Sequence, residues 1–152
     1  MNCESWCLTK TDILNLEKAE IWALKRILNL PKTTPSLAIR YTTGTFYTKI
    51  RIGIKQLLYL QRVLNRDEEH HTKKLLKEME KLNCGWSKQI CNTLQDYDLT
   101  QDWNEITTKT IPMWKKEVLK AAGAMQIKLM KEECCKNSNG ERTTKQKNKN
   151  NL

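Results

Sequence analysis

Glycine and proline are scarce in this sequence, at five and three residues out of 152. These residues form the tight turns that link the many short strands of a sandwich or barrel, so their scarcity argues against a β-rich fold. No apolar run approaches the length of a membrane span, and Met1 to Lys10 lacks the basic start and apolar run of a signal peptide. We therefore expect an intracellular, all-α protein.

The sequence also lacks the motifs that indicate catalysis. It has no glycine-rich phosphate loop and no adjacent pair of aspartates for two-metal chemistry. Its two histidines, His70 and His71, lie side by side in a polar run, and neither can be matched with a nucleophile and an orienting group. We predict no catalytic residue and no cofactor.

A zinc site is the one metal site that the residue types suggest, because His70, His71, Cys84 and Cys91 occupy one stretch. The spacing argues against it. The sequence has no Cys-x2-Cys pair, and adjacent histidines point to different sides of a helix. We predict no metal, and we expect reduced, buried structural thiols at Cys84 and Cys91.

Apolar residues recur at steps of three and four along most of the chain, a spacing that is typical of amphipathic helices. Proline and glycine mark several of the expected ends. The expected helices are one capped by Thr11 that runs to Leu30, a short one between Thr34 and Gly44, one from about Thr45 to Asn65, one that follows a cap at Asp67 and ends at Gly85, one from Trp86 to Tyr97, and a long one from Trp114 that frays near Cys134.

The length of the chain allows one domain and a tail. We predict a small irregular bundle of five to seven helices over residues 1–136. From Asn137 to Asn150 no residue is apolar, so this segment cannot bury enough surface to order itself. Residues 137–152 are therefore predicted to form a disordered, basic tail.

One long stretch of the chain contains no acidic residue. The whole sequence has 27 Lys and Arg against 17 Asp and Glu, a net charge of +10. Between Glu20 and Asp67 there are nine basic residues and no carboxylate, and such charges repel one another unless an anion is bound. The excess indicates a polyanionic partner. A nucleic-acid backbone is the favoured candidate, and an anionic membrane surface is the less favoured one.

Helical geometry gathers part of this charge on one side of the third predicted helix. At about 100° per residue, Arg51, Lys55, Arg62 and Arg66 fall within roughly a 60° arc, opposite an apolar stripe. The alternative is a solvated face, although such faces normally mix both signs of charge. The stripe consists of Ile50, Ile54, Leu57 and Leu64, and the candidate nucleic-acid-binding residues are Lys49, Arg51, Lys55, Arg62, Arg66, Arg40, Lys25 and Arg26.

Several short patterns in the chain are similar to those of a known family. Cys3 to Trp6 (CESW), Leu8 to Lys10 (LTK) and Leu24 to Leu28 (LKRIL) resemble the segment that closes the polymerase core of non-LTR retrotransposon reverse transcriptases. Leu30 to Ser36 (LPKTTPS) and Lys49 to Ile52 (KIRI) resemble the segment that follows it. The resemblance extends over residues 2–136, although each piece consists of common residues and none is a catalytic signature.

The resemblance implies a thumb and linker, a helical unit that rests on the primer-template duplex. Lys49, Arg51, Lys55, Arg62 and Arg66 would then face the backbone of RNA or cDNA. The palm, with its metal-binding aspartates, would lie before Met1, so a truncated and non-catalytic fragment is expected, with the missing palm as a second partner. The alternative is an inert or protein-interacting helical remnant, which an exposed apolar surface would favour.

Overall fold

The computed structural model describes the backbone of residues 7–149 and the side chains of residues 7–135. Within that part the chain forms seven helices and no strand, which confirms the prediction of a small all-α bundle. The helices are α1 (Lys10–Ile27), α2 (Ser36–Thr43), α3 (Thr48–Leu64), α4 (His71–Lys81), α5 (Gly85–Asp96), α6 (Trp103–Thr108) and α7 (Ile111–Lys149).

Local hydrogen bonds determine where α1 begins. Thr9 Oγ1 accepts from the backbone N–H of Asp12 at 3.2 Å, and Asp12 Oδ2 accepts from the N–H of Thr9 at 2.9 Å. This reciprocal pair satisfies two of the donors that a helix start leaves without partners. The cap is therefore Thr9 and not Thr11, because the residue three positions after Thr11 is Leu14, which cannot return the bond.

The start of α4 also differs from the prediction. His70 is its cap, and His70 Nδ1 accepts from the backbone N–H of Thr72 at 3.2 Å. Asp67, the predicted cap, lies in the turn before the helix. The three acidic residues of that turn therefore do not occupy the first turn of α4, although Glu68 forms ion pairs with Lys73 and Lys77 on it.

The end of α4 and the presence of α6 also differ from the prediction. α4 ends before Asn83, which has a positive φ of 47°, whereas Gly85 (φ 57°) opens α5 instead of ending α4. The stretch between Tyr97 and Trp114, for which the sequence predicts no helix, contains α6. Asp102 caps α6 by accepting from the N–H of Asn104 at 2.9 Å.

The last helix, α7, is the longest. Its backbone continues as a helix through Lys149, past the predicted fraying near Cys134 and into the predicted tail. Extending a formed helix needs no new nucleus, and the lysines there, with Glu141, Arg142 and Gln146, are good helix formers. The side chains after Cys135 lie outside the described residues, as does the chain from residue 150.

α3 lies at the centre of the bundle, and α1, α4, α5, α6 and α7 all pack on it. Ten of its 17 residues are buried, which is more than one face of a helix provides. Trp114 on α7 is also fully buried, and its Nε1–H donates to the carbonyl of Leu57 at 3.0 Å. The core therefore surrounds α3 on most of its circumference.

The tryptophans show where the core ends. Trp86, Trp103 and Trp114 are buried, as expected for core-facing positions. Trp22 on α1 is the exception, with 61% of its surface exposed. No residue of α1 is buried, so this helix contributes little to the core.

Gly53 allows α3 and α5 to approach closely. A Cβ at this position would lie 2.6 Å from Tyr97 Oη and 3.3 Å from Thr93 Cγ2. Tyr97 is buried and cannot easily move away, since its hydroxyl donates to the carbonyl of Ile50 at 2.9 Å. Any side chain at position 53 must therefore separate the two helices or displace Tyr97.

We predict that Gly53→Ala and Gly123→Ala change stability in opposite directions. Alanine is the better helix former by about 1 kcal/mol, and a Cβ at Gly123 on α7 would meet nothing within 4 Å. Gly123→Ala should therefore raise the free energy of unfolding, measured by urea denaturation, by about 0.5–1 kcal/mol. Gly53→Ala should lower it by about 1–3 kcal/mol, because overpacking outweighs propensity. Equal effects of the two substitutions would contradict this packing.

Candidate nucleic-acid interface

Three of the candidate basic side chains share the exposed face of α3. Arg51, Lys55 and Arg62 are exposed, whereas Ile50 and Leu57 on the opposite side are 0% exposed. The cations lie four and seven residues apart, and this spacing returns to one face of a helix. We call Arg51, Lys55 and Arg62, with Arg66 just beyond the helix, the α3 ridge.

Arg66 follows the C-cap of α3, and its side chain is exposed. Its guanidinium contacts the ring nitrogen Nε2 of His70, and its carbonyl accepts from Lys73 Nζ at 2.9 Å. These contacts connect the end of α3 with the start of α4. The α3 ridge therefore continues past the end of the helix.

Acidic residues from outside the acid-free stretch form ion pairs with Arg51 and Lys49. Arg51 Nη2 lies 2.8 Å from Glu20 Oε1 on α1, and Lys49 Nζ lies 2.6 Å from Asp96 Oδ2 on α5. Both basic side chains are about half exposed, and such pairs contribute only about 0–1 kcal/mol. A phosphate can therefore compete for Arg51. Lys49 lies away from the α3 ridge, on the α5 side of the helix.

Arg40 does not belong to the interface, which corrects the assignment made from sequence. Its side chain is only 1% exposed, and Nη2 lies 2.7 Å from Glu17 Oε1. Nη1 donates to the carbonyl of Phe46 at 3.1 Å, and the guanidinium stacks on the ring of Tyr47 at 4.3 Å. A cation enclosed in this way cannot reach a phosphate.

Arg40 instead belongs to a polar cluster that joins four parts of the fold. Tyr47, at the start of α3, donates its hydroxyl to Glu133 Oε2 on α7, and Ser36 Oγ on α2 donates to Glu133 Oε1 at 2.9 Å. Partial burial raises the pKa of the Glu17 carboxyl on α1, and Arg40 opposes that shift. We call Glu17, Ser36, Arg40, Tyr47 and Glu133 the polar cluster.

The two remaining candidates, Lys25 and Arg26, lie on α1. Lys25 Nζ donates to the carbonyl of Lys32 at 2.6 Å, and Arg26 stacks over the ring of Trp22 at 5.3 Å. Both line a groove of about 970 Å³ along α1. We call this groove the α1 groove, and its apolar walls are Ile13, Leu14, Ile21 and Trp22 on α1, with Leu30 and with Leu129 on α7.

The sequence analysis did not predict two features of the surface. The α1 groove needs residues from α1, α2 and α7 together, and no local pattern predicts it. The second feature is a set of exposed lysines on α7, away from α3. Their spacing could have shown it, since Lys116 and Lys120 lie one helical turn apart and Lys131 returns to the same face.

The cysteines and histidines that the structure describes do not form a metal site. Within the side chains that the structure describes, no three His, Cys, Asp or Glu residues are placed to hold a metal ion. Cys84 is exposed and Cys91 is half-buried, so the expectation of a buried thiol is wrong for Cys84. Cys84 lies immediately before the start of α5, outside the helix, so the apolar face of α5 does not bury it.

Comparisons with known proteins add no assignment. No family model matches the chain, and neither a curated protein nor a solved structure is similar to it. Separately, none of the helices in the described residues has the length and apolar character needed to cross a bilayer. The fold of the described residues defines the class of the chain as an all-α bundle.

We predict that the ion pair between Arg40 and Glu17 matters far more for stability than the pair between Lys49 and Asp96. Arg40→Met should lower the free energy of unfolding by about 3 kcal/mol, because it leaves a partly buried carboxylate without its cation. Lys49→Met, which breaks an exposed pair, should cost less than about 1 kcal/mol. The double variant Arg40→Met/Glu17→Met should recover most of the loss. Urea denaturation that gives equal costs for the two single variants would contradict the burial of Arg40.

Proposed function

We propose that this chain binds the phosphate backbone of a nucleic acid through the α3 ridge, without reading base sequence and without catalysis. The observation that carries the proposal is the exposure of Arg51, Lys55 and Arg62 on one face of the helix that is otherwise most buried. Phosphate contacts of this kind supply the sequence-independent part of nucleic-acid binding.

The spacing of the ridge suits a polyanion. Eleven residues separate Arg51 from Arg62, which is about 16 Å along a helix that rises about 1.5 Å per residue. A DNA duplex carries one charge per about 1.7 Å of its axis, so several phosphates lie within reach of the ridge. Arginine also suits this role because its planar guanidinium can bind a phosphate through two N–H groups.

The support beneath the ridge favours binding at low entropic cost. The backbone of α3 is held by five other helices, so the cations start from a fixed frame. The net charge of +10 adds attraction at long range and speeds encounter with a polyanion. The long-range attraction depends on salt, because counterions screen the cations and the phosphates.

The sequence resemblance supports a particular setting for this activity. In a non-LTR retrotransposon reverse transcriptase, the similar segment is a thumb and linker that rests on the primer-template duplex. We propose the same setting here, with RNA or cDNA backbone on the α3 ridge. The palm of such an enzyme would be a second partner, and the polymerase chemistry would belong to the palm and not to this chain.

A second candidate function is protein binding by a helical remnant of such an element. The observation that favours it is the exposed apolar side of α1, where Leu14 is 55% exposed and Trp22 is 61% exposed. Exposed apolar surface of this kind marks interaction sites. The two functions use different surfaces, so one chain can perform both.

We predict that duplex binding depends on the α3 ridge and falls steeply with salt. A fluorescent RNA–DNA duplex is titrated with the full chain at about 50 and 200 mM salt. Lys55→Gln/Arg62→Gln should weaken binding by about tenfold at the lower salt and reduce the salt slope by about two. Both substitutions remove exposed charge and leave the core intact.

The matched control is Lys116→Gln/Lys120→Gln, which removes the same charge from the exposed face of α7. It should change affinity by less than about threefold, since only general attraction is lost. If the two double variants weaken binding equally, the attraction is general and the ridge is not a site. Absence of binding at low salt, or binding indifferent to salt, would refute the proposal outright.

A further inference from the structure

α1 is a well-formed helix that buries none of its residues. The capping box of Thr9 and Asp12 fixes its start, and its apolar residues recur at helical spacing. Even so, Leu14 and Trp22 stay more than half exposed on the side that faces the α1 groove. Burying apolar surface stabilises a complex by about 25 cal/mol for each Å² removed from water, so covering this side of α1 would be favourable.

The shape of the α1 groove suits a rod. Its α1 wall extends from Lys10 to Arg26, about 24 Å at a rise of about 1.5 Å per residue. Ser36 and Arg40 on α2 and Leu129 on α7 also line it, so the groove is a trough that α1 forms with two other helices. An amphipathic helix of about four turns fits such a trough, and this is a common mode of peptide recognition. A flat bilayer surface does not enter it.

The charges at the rim of the groove are mostly positive. Of its three carboxylates, Glu17 is paired with Arg40, and Glu133 accepts hydrogen bonds from Ser36 and Tyr47. Glu132 is the third, and its side chain is exposed. The cations outside the polar cluster on the same rim are Lys10, Lys18, Lys25, Arg26, Lys32 and Lys49, of which Lys49 is paired with Asp96.

We infer that the α1 groove binds an amphipathic protein helix whose apolar stripe is flanked by glutamates or aspartates. The stripe covers Leu14 and Trp22, and the flanking acids meet the lysines of the rim. This inference specifies the kind of partner for the second candidate function, protein binding, and it does not depend on the α3 ridge.

Charge and polarity argue against two other occupants. A second copy of this chain would bring one positive rim against another, between molecules that each carry +10. A nucleic-acid backbone would satisfy the lysines but would leave the apolar floor of the groove against phosphates. An acidic amphipathic helix satisfies both the floor and the rim.

The test uses three labelled peptides of about 18 residues and the full chain, measured by fluorescence anisotropy. The first has a leucine stripe flanked by glutamates, the second has the same stripe flanked by lysines, and the third has the composition of the first with its stripe scrambled. The first peptide should bind about tenfold or more tightly than either of the others near physiological salt. The scrambled peptide separates groove binding from general attraction to a basic protein.

Two substitutions then locate the site. Leu14→Ala should weaken binding of the first peptide by about fivefold, whereas Leu75→Ala should leave it unchanged. Leu75 is a close match, since it is 61% exposed, lies on α4 and does not line the groove. Both sites are exposed, so both variants should fold, and far-UV circular dichroism checks this.

A charge reversal tests the rim. Lys10→Glu/Lys18→Glu should remove most of the preference for the glutamate peptide over the lysine peptide, because the cations and carboxylates of the rim would then be nearly equal in number. Lys10 opens α1, where an acid suits the helix dipole, so the fold should tolerate the change.

Equal binding of the glutamate and lysine peptides, or equal loss in Leu14→Ala and Leu75→Ala, would overturn the inference. Self-association in sedimentation that Leu14→Ala abolishes would assign the groove to a second copy and also overturn it. Failure of duplex binding would leave these results unchanged, so the two proposals fail separately.

Discussion

The burial of α3 is the interaction on which the rest of the structure depends. Five helices pack around it, and its long apolar residues fill the space between them. Apart from Lys49 near its start, α3 carries its charged side chains on the strip that the core leaves uncovered, because a charge cannot enter the core unless it is paired. Arg51, Lys55 and Arg62 lie in that strip. The same packing that stabilises the bundle therefore collects positive charge on one line.

The charge of this protein is organised by tertiary contacts as much as by sequence. Basic residues of the acid-free stretch from Ile21 to Arg66 form ion pairs with three carboxylates that lie outside it in the chain. These are Glu17 and Glu20 on α1 and Asp96 on α5. One of these, Glu17, holds Arg40 inside the fold, while Glu20 and Asp96 meet cations that remain partly exposed. The stretch is therefore less repulsive than its composition suggests. The remaining positive charge is divided between the α3 ridge and the rim of the α1 groove.

The helices and the ridge could be predicted because both follow from local periodicity. Of the predicted α3 stripe, Ile50, Leu57 and Leu64 are buried and Ile54 is half-buried. α6 was missed because six residues are too few to show a period, although Trp103 and Ile106 are both buried. The place of Arg40 depends on a partner 23 residues away. No helical wheel contains that information, and the same holds for the α1 groove.

The structure shows a division of the eight candidate cations among the α3 ridge, the α1 groove and the interior of the fold. It can be observed directly by following the arginine side-chain Nε–Hε resonances of the isotopically labelled chain while a short RNA–DNA duplex is added. We predict that the resonances of Arg51, Arg62 and Arg66 shift together, and that those of Arg40 and Arg26 stay in place. Shifts confined to Arg26, or spread equally over all exposed arginines, would contradict it.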